Sequence, residues 1–507
     1  MTGNPASPTI QPRPQVRDQA PREPDAAGLT HPDAWRMVVP LLIGAFMALL
    51  DVTIVNVALP SIETGIGASE TTLAWVVSGY TLAFGLTLIP AGRLGDLYGH
   101  RRLFIIGLLL FTLTSLVAGL VQNPAELVAI RALQGFSAGL FNPAIVAFFQ
   151  VLFQGPVRGK VFGLFGAVIG ISSAIGPLLG GFIIQIAGQS DGWRWIFLIN
   201  VPIGVVALAL AWRLLPGREI QGEVEQRRSL VNMLDPVGLF LLVVGLLALL
   251  VPLVEGQGQN WPLWTWLSLA GSVVLIVVLL LWERRVEGRG YVPIVAVSLL
   301  RRPSFAAGTG LSLVYFGAFT SIFFTLSILL QTGLGYSALE TGLIVTPFAL
   351  GSLVAAANSD RFATRMGRNV LSLGTLMVAV GLGLTLLVLW NRAPDPEPWL
   401  LTLPLLLAGA GNGLFIAPNT SFILATVDPR QAGAASGLVN TAQRIGTAIG
   451  VAIVSSVLFG TLKVGRDGPA PAFLHSAELA LAVSFGLAVI AFLFVFALPH
   501  QVRRQGR

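Results

Sequence analysis

The sequence has no cysteine among its 507 residues, and charged residues make up only 11% of it. Without cysteine, disulfide bonds and thiolate metal sites are excluded. Soluble domains carry about 25% charged residues, so the low charge also excludes a large water-soluble protein. A Gly-x-x-x-x-Gly-Lys-Ser/Thr phosphate loop, grouped metal ligands and a nucleophile–base arrangement are all missing. We therefore expect no use of ATP, no cofactor, no metal, no catalytic residue and no enzyme activity.

Apolar residues make up 54% of the chain, and they fall in stretches of about 20 residues between short charged loops. Such stretches are long enough to cross a bilayer as helices and too long for barrel strands. Backbone groups cannot stay unpaired in hydrocarbon, so the spans must be helical. We predict an all-α integral membrane protein whose fourteen transmembrane helices lie at 37–58, 72–91, 103–121, 125–149, 160–185, 195–214, 233–254, 262–282, 305–330, 339–360, 370–390, 399–427, 434–460 and 475–498.

The basic residues predict how the chain lies in the membrane. With the N-terminus in the cytoplasm, 25 of the 31 fall in cytoplasmic segments and four fall outside, while Arg131 and Arg444 lie within helices. An even number of helices then places both termini in the cytoplasm of a cell (inner or plasma) membrane. The net charge of +7 is spread over many loops, which does not favour a nucleic-acid partner. We expect a monomer whose partners are the bilayer, protons and a small-molecule substrate.

Part of the chain repeats. Residues 139–141 recur as 413–415, and Gly163 and Gly176 find matching glycines at the same offset of 274 residues. This pattern predicts two related six-helix bundles around a central site, with one inserted helix pair. The predicted units are a disordered cytoplasmic tail (1–36), an N-terminal bundle (37–214), a linker with two inserted helices (215–304), a C-terminal bundle (305–498) and a second cytoplasmic tail (499–507).

Residues 92–102, Gly-Arg-Leu-Gly-Asp-Leu-Tyr-Gly-His-Arg-Arg, resemble the signature loop of the major facilitator superfamily. Residues 50–60 resemble the first-helix motif of its 14-helix drug:proton antiporters, and residues 131–135 resemble the fourth-helix motif of that subfamily. Residues 176–181 are similar to the fifth-helix motif associated with exporters. The resemblance implies the major facilitator fold and the export of drugs in exchange for protons.

A charged side chain in hydrocarbon costs about 2.5–3.5 kcal/mol on insertion scales, so each one that is retained there predicts a function. Asp51 and Arg131 lie at a similar depth in two helices of opposite direction. The helix packing implied by the resemblance lets them face each other. We expect Asp51 to take up and release the proton, while Arg131 stabilises its charged form and changes partner when substrate or proton arrives. The alternative is a fixed ion pair that only holds the two helices together.

Other polar, aromatic and glycine residues are candidates for a cavity, a gate and a pivot. The cavity or substrate candidates are Asn56, Gln134, Asn142, Asn440, Gln443, Arg444, Phe316 and Phe319, for which the alternatives are interhelical hydrogen bonding and contact with lipid. The signature loop combines an acid near a helix N-terminus with arginine partners. Its expected role is a cytoplasmic gate, and the alternative is a signal that only sets the orientation of the chain in the membrane. The gate candidates are Gly92, Arg93, Gly95, Asp96, Gly99, Arg101 and Arg102. A pivot or a simple close-packing face is expected on the fifth helix at Gly176, Pro177, Gly180 and Gly181.

Together these features predict a proton-coupled antiporter that exports lipophilic drugs or toxic small molecules, cationic ones included, by alternating access. One alternative is an exporter of an endogenous metabolite, antibiotic or lipid. An alternative of another class is a receptor or sensor that binds a ligand in the same fold without transporting it.

Overall fold

A computed structural model describes residues 33–216, 235–256, 258–289, 293–295, 297–392, 397–424, 427, 432–463 and 469–498. Within these residues, fourteen helices are long and apolar enough to cross a membrane. They are numbered in chain order: α1 Ala34–Ile66, α2 Glu70–Tyr98, α3 His100–Ala118, α4 Pro124–Leu152, α5 Gly155–Ala187, α6 Gly192–Leu214, α7 Pro236–Glu255, α8 Leu263–Gly288, α9 Pro303–Gly333, α10 Ala338–Met366, α11 Asn369–Arg392, α12 Thr402–Leu424, α13 Ala432–Thr461 and α14 Pro469–Val495.

Hydropathy predicts the number of helices and underestimates the length of several. α1 begins at Ala34 and runs to Ile66, so the tail predicted to reach residue 36 is too long. α5 begins at Gly155 instead of residue 160, and α14 begins at Pro469 instead of residue 475. The ends of these helices are less apolar than their centres, so a search for apolar stretches stops short of them. The remainder of the two predicted tails and most of the loop before α7 lie outside the described residues.

Capping side chains fix where the helices of the candidate site begin. Asn123 accepts a hydrogen bond from the Glu126 backbone N–H at 2.9 Å, and Pro124 occupies the first turn of α4, where a missing N–H costs nothing. α10 begins with a reciprocal capping box between Ser337 and Glu340. These caps set the start of α4 and α10 and hence which side chains face the interior.

Two helices depart from regular α-helical geometry. α6 is interrupted at Ile199, between Gly192–Leu198 and Asn200–Leu214. α9 ends in a π-helical turn, Leu329–Gly333. Within that turn Gln331 donates through Nε2 to the carbonyl of Val57 at 2.9 Å, so the end of α9 is tied to α1.

The helices form two six-helix bundles, α1–α6 and α9–α14, with α7 and α8 as an added pair. The bundles meet mainly where α2 packs on α13 and α5 packs on α10. α7 and α8 pack on each other, and α7 also contacts α13 and α2. This arrangement is the predicted fold class.

Equivalent glycines make equivalent contacts in the two bundles. A Cβ added at Gly135 would lie 2.1 Å from the carbonyl oxygen of Tyr80, and one at Gly409 would lie 1.9 Å from that of Phe348. Gly135 and Gly409 are separated by the repeat offset of 274 residues, and they hold α4 on α2 and α12 on α10. The repeat in the sequence thus corresponds to one helix packing used twice.

Apolar side chains face outward, as a lipid-exposed protein requires. On α8, for example, Leu267 and Val273 are 63% and 62% exposed. The end of the molecule where the odd-numbered helices begin, near Arg93, Arg101 and Arg102, is called the basic face. The other end is called the opposite face.

Candidate functional site

The centre of the N-terminal bundle contains a buried ion pair between α1 and α4. Arg131 donates through Nη1 to Oδ2 of Asp51 at 2.5 Å. Asp51 is 0% exposed and Arg131 is 1% exposed, so neither side chain touches solvent or lipid. The structure therefore brings together the two residues that the sequence selects for proton coupling. Their role in coupling stays a prediction.

Polar groups from three further positions complete the ion pair. Gln134 donates through Nε2 to Oδ1 of Asp51 at 3.0 Å and to the Ser115 hydroxyl at 2.8 Å. Arg131 also donates to Oε1 of Gln134 at 2.7 Å and to the carbonyl of Val76 at 3.1 Å. Both carboxylate oxygens thus have a donor, and the guanidinium has acceptors on α1, α2 and α4. A buried pair needs such secondary hydrogen bonds because desolvation of two charges is costly.

Two aromatic rings on α2 connect this ion pair to the C-terminal bundle. The guanidinium carbon of Arg131 lies 4.2 Å from the centroid of the Tyr80 ring. Tyr80 meets Phe84 edge to face, with the ring centroids 5.9 Å apart. On the other side, the guanidinium carbon of Arg444 in α13 lies 4.2 Å from the Phe84 centroid. Each arginine therefore makes a cation–π contact with a member of the same aromatic pair.

The polar residues predicted on α13 share one face of that helix. Asn440, Gln443 and Arg444 are all partly exposed. Thr441 donates to the carbonyl of Gly85 on α2 at 3.1 Å, and Thr447 exchanges a hydrogen bond with Thr320 on α9 at 3.2 Å. Because helical positions advance by 100° per residue, Asn440 and Arg444 project between these two contacts, toward the space between the bundles, and Gln443 lies about 40° beyond Thr447.

The predicted aromatic residues of α9 lie beside this polar face. Phe316 and Phe319 are partly buried, and their centroids are 5.5 Å apart. Phe319 stacks on Phe348 of α10 at 5.8 Å. Tyr315 stacks on Phe415 of α12 at 3.8 Å. The phenylalanines thus form an aromatic wall of the C-terminal bundle, instead of an isolated stripe that faces lipid.

The remaining cavity candidates have weaker positions. Asn56 is buried, donates to the carbonyl of Val52 at 2.9 Å, and has a buried Oδ1 without a described hydrogen-bond partner. Asn142 is partly exposed, two turns from Gln134 along α4 and on the same side of that helix. Neither belongs to the hydrogen-bond network around Asp51.

The gate candidates lie at the basic face, around the junction of α2 and α3. Arg93 donates to the carbonyl of Pro293, which precedes α9, so it links α2 to the inserted segment. Arg101 donates to the carbonyl of Trp212 at 2.8 Å. Gly99 has φ +97°, a value that side chains rarely tolerate, and it makes the sharp turn between the helices. The side chain of Asp96 lies outside the described residues, Arg102 is exposed, and Gly92 and Gly95 belong to the last turns of α2.

The glycines and the proline of α5 form a close-packing face. A Cβ at Gly176 or Gly180 would collide with residues of α1, the nearest atoms being 2.0 Å and 2.8 Å away. Gly181 approaches the carbonyl of Ala338 on α10, and the carbonyl of Pro177 approaches Gly342. α5 stays a continuous helix through this region. The stripe therefore packs α5 against helices of both bundles, and its role as a pivot stays a prediction.

Along α5 and α10, the two bundles touch toward the opposite face and separate toward the basic face. Along α5, Gly181 and Pro177 contact the start of α10, and Gly170 contacts Leu353. Closer to the basic face, a Cβ at Gly163 or Gly166 would meet no described atom within 4 Å. The space lined by the polar face of α13 and the aromatic wall is thus closed at one end.

Some residues of the site were not selected from the sequence. Tyr80, Phe84 and Ser115 contact the selected residues, yet single aromatic and hydroxyl residues in apolar helices carry no distinguishing signal. The spacing of Tyr80 and Phe84, four residues apart on one side of α2, is the only available hint.

A bundle of fourteen membrane-length helices in two related halves around an interior polar site defines a polytopic membrane transporter. The sequence model of the Major Facilitator Superfamily matches residues 41–451 and 309–506. The chain belongs to this family.

Several of its relatives are named for resistance to antibiotics or for their export. The chain is 35% identical to the puromycin resistance protein pur8 of Streptomyces alboniger, with 92% of both chains covered. It is 34% identical to the probable actinorhodin transporter of Streptomyces coelicolor, over 84% of this chain and 73% of that one. It is 33% identical to the cephamycin export protein CmcT of Amycolatopsis lactamdurans, over 81% and 82%.

Solved transporters share the fold at low sequence identity. A D-xylose–proton symporter superposes with a TM-score of 0.65 at 15% identity, covering 92% of this chain and 98% of its own. An auto-inhibited POT family peptide transporter gives 0.63 at 15% identity, covering 93% and 97%. Both similarities support the arrangement of the helices.

Proposed function

We propose that the protein exports lipophilic small molecules in exchange for protons, and that it does so by alternating access without enzymatic activity. The observation that carries this proposal is the fully buried pair of Asp51 and Arg131. A carboxylate without solvent contact is tolerated if a cation compensates its charge or if a proton neutralises it. Asp51 has the first option in the described state, and protonation would supply the second. Protonation would release Arg131 from α1, which couples the proton to a change in helix packing.

Alternating access is supported by the uneven packing between the bundles. Along α5 and α10 they touch toward the opposite face, at Gly181 and Ala338, and separate toward the basic face. The excess of basic residues favours the cytoplasm as the side of the basic face. On that orientation the described state is open to the cytoplasm, where an exporter collects its cargo from inside the cell.

The energy available to such an exchange is sufficient. A proton that enters down a potential of 100 mV releases about 2.3 kcal/mol. That free energy corresponds to roughly 50-fold accumulation of a neutral solute, since each factor of ten requires about 1.4 kcal/mol. One proton per cargo molecule would therefore maintain a useful gradient.

Gradient-driven flux in proteoliposomes tests this proposal. Liposomes with an acidic interior receive one of three anthracene derivatives. They carry a carboxylate group, a neutral hydroxymethyl group or a permanently charged trimethylammonium group. Antiport predicts that the wild type accumulates at least one of them over protein-free liposomes. Asp51→Asn should lower this accumulation at least tenfold, because the amide cannot carry a proton across. The matched control is Asp191→Asn, which makes the same change in the exposed ion pair with Arg194.

The outcomes separate transport from its alternatives. Undiminished accumulation by Asp51→Asn would leave the pair as a structural link between α1 and α4. Binding of a probe by the wild type without gradient-dependent flux would favour a receptor.

Alternating access can be tested by cross-linking because the chain has no cysteine of its own. The Ser78 hydroxyl on α2 donates to the carbonyl of Ala448 on α13 at 3.3 Å, so the two helices are close there. A Ser78→Cys/Ala448→Cys pair should form a disulfide and stop flux, and a reductant should restore it. Flux that persists in the fully cross-linked protein would contradict movement between α2 and α13.

Export of an antibiotic or metabolite that the cell itself makes is the second candidate function. The names of the actinorhodin and cephamycin relatives favour it. Competition by a panel of such compounds against probe accumulation would distinguish one preferred cargo from general drug efflux.

A further inference from the structure

We propose that Arg444 anchors an anionic group of the cargo, so that the protein selects flat aromatic carboxylates or similar oxyanions over cations. This inference rests on the proposed export function and names its substrate class. It narrows the expectation from the sequence, which includes cationic cargo.

The interior charges of the described residues do not balance. Arg131 is neutralised by Asp51 at 2.5 Å. The other described ion pairs lie at helix ends, and none of them includes Arg444. Within the described membrane interior, the site between the bundles thus keeps one positive charge without a carboxylate partner. A charge in that position is expensive, so a ligand that neutralises it would bind with favourable free energy.

The guanidinium of Arg444 is presented in a way that leaves its donors available. Its guanidinium carbon lies over the Phe84 ring, 4.2 Å from the centroid. Among the described residues, no hydrogen bond occupies the five N–H groups of this side chain, so they remain available to a ligand. None of its nitrogens is among the buried atoms that lack a partner, so they border accessible space. A planar fork of donors is the geometry that binds a carboxylate through two parallel hydrogen bonds.

An aromatic surface lies next to this cation. α9 and α13 run in the same direction and are joined by the hydrogen bond between Thr320 and Thr447. Arg444 lies three residues before Thr447, and Phe316 lies four residues before Thr320, so both are about one turn nearer the basic face. Their helices place them on the same side of the α9–α13 contact. A flat aromatic acid could therefore contact the wall with its rings and Arg444 with its oxyanion.

A cationic cargo meets the opposite situation. Asp51 is occupied by Arg131 and Gln134 in the described state, and it is fully buried. Among the described residues of α9 and α13, none is acidic, so no carboxylate on either wall would offset the repulsion from Arg444. Discrimination between charge signs thus follows from this single arginine.

A structural role for Arg444 makes a different prediction. α13 and α2 belong to different bundles, so the contact between Arg444 and Phe84 could simply hold them together. Loss of such a link would change the binding of all probes by a similar factor. Loss of an anion anchor would change the binding of the anion alone.

Equilibrium dialysis of the full-length protein in nanodiscs separates these roles. The probes are anthracene-2-carboxylate and the anthracen-2-ylmethyl trimethylammonium ion, measured at one pH without a gradient, with empty nanodiscs as the blank. We expect the wild type to bind the carboxylate at least tenfold more tightly than the ammonium. Arg444→Gln should weaken carboxylate binding at least tenfold and leave ammonium binding equal or stronger. Arg213→Gln is the matched control, because it removes the same charge from an exposed position at the end of α6.

Three results would overturn the proposal. The wild type could bind the ammonium more tightly than the carboxylate, or it could fail to bind the carboxylate. Arg444→Gln could also weaken the binding of both probes equally. If Arg444→Gln does not fold, Arg444→Lys replaces it in the binding assay. This variant keeps the positive charge, so it should keep the preference for the carboxylate probe. A preference for the ammonium probe would overturn the inference. The assay needs no proton gradient. Failure of Asp51→Asn to change flux would therefore reject proton coupling and leave the anion site standing.

Discussion

Removal of Arg131 should destabilise the protein much more than removal of the charge on Asp51. The two partners of the ion pair differ in what each keeps after the other is lost. Without Arg131, Asp51 keeps only Gln134 as a donor, so the buried carboxyl is left either charged without a cation or neutralised by a proton. With Asn at position 51, Arg131 keeps the carbonyl of Val76, Oε1 of Gln134 and the ring of Tyr80.

The magnitudes follow from this asymmetry. Breaking a buried ion pair by deleting one partner typically costs about 3–5 kcal/mol of unfolding free energy, because an uncompensated charge stays in the interior. We expect this range for Arg131→Met. Asp51→Asn leaves the buried guanidinium without a counter-charge, but the amide oxygen and the three other partners of Arg131 still compensate it, so we expect a smaller cost of about 1–3 kcal/mol. The double variant removes both charges, so it should recover most of the loss caused by Arg131→Met.

Unfolding in mixed micelles with increasing dodecyl sulfate, followed by tryptophan fluorescence, measures these differences. The control is Arg36→Met, which breaks the ion pair with Asp33, whose partners are 76% and 54% exposed, and should cost less than about 1 kcal/mol. The reasoning is refuted if Arg131→Met costs no more than this control. It is also refuted if the two single losses simply add in the double variant, because a direct pair must show a coupling free energy.

Three further changes test the packing and the polar contacts of the fold. Gly135→Ala should lower the free energy of unfolding by about 1–3 kcal/mol, because the added Cβ collides with the carbonyl of Tyr80. Gly163→Ala should be tolerated, because no described atom lies near its Cβ position. The melting temperatures of the two purified variants compare these effects. Glu283 accepts hydrogen bonds from the backbone amides of Ile294 and Val295. Glu283→Ala should lower the free energy of unfolding by about 1–3 kcal/mol for each amide that loses its acceptor. Glu283→Gln keeps one acceptor oxygen and should lose less, as thermal unfolding in detergent would show. Tyr315→Phe removes a 2.8 Å hydrogen bond to an asparagine of α12 and should cost about 1 kcal/mol in the same assay; no change would mean that the hydroxyl is solvated.

The overall fold could be predicted because the bilayer imposes one strong constraint on the sequence. Each span must be apolar and about 20 residues long, and this requirement reveals α1 to α14 directly. The interruption of α6 at Ile199 and the π-helical end of α9 could not be predicted in this way. They depend on contacts with other helices, such as the hydrogen bond from Gln331 to Val57, that leave no local pattern.

The site was predictable to the extent that it contains charge. Asp51, Arg131 and Arg444 are conspicuous because interior charges are rare in membrane helices. Tyr80 and Phe84, which lie between the two arginines, are inconspicuous because aromatic residues are common in apolar helices. Sequence reasoning anticipated the pair of Asp51 and Arg131. It could not show that Arg444 has no described carboxylate partner and faces the space between the bundles.

This difference in pairing bears on how the proton and the cargo can influence each other. Asp51 and Arg131 lie on α1 and α4 of one bundle, so rigid rocking of the two bundles would not by itself separate them. Arg444 and Phe84 lie on different bundles, so the same motion must change their contact. α2 belongs to both arrangements, because Tyr80 contacts Arg131 and Phe84 contacts Arg444. Communication between the proton site and the cargo site therefore has a short physical route through two rings on one helix. This route predicts that Asp51→Asn alters carboxylate binding when Phe84 is present. In a Phe84→Leu background, carboxylate binding should survive and that effect should disappear; an unchanged effect would require another route.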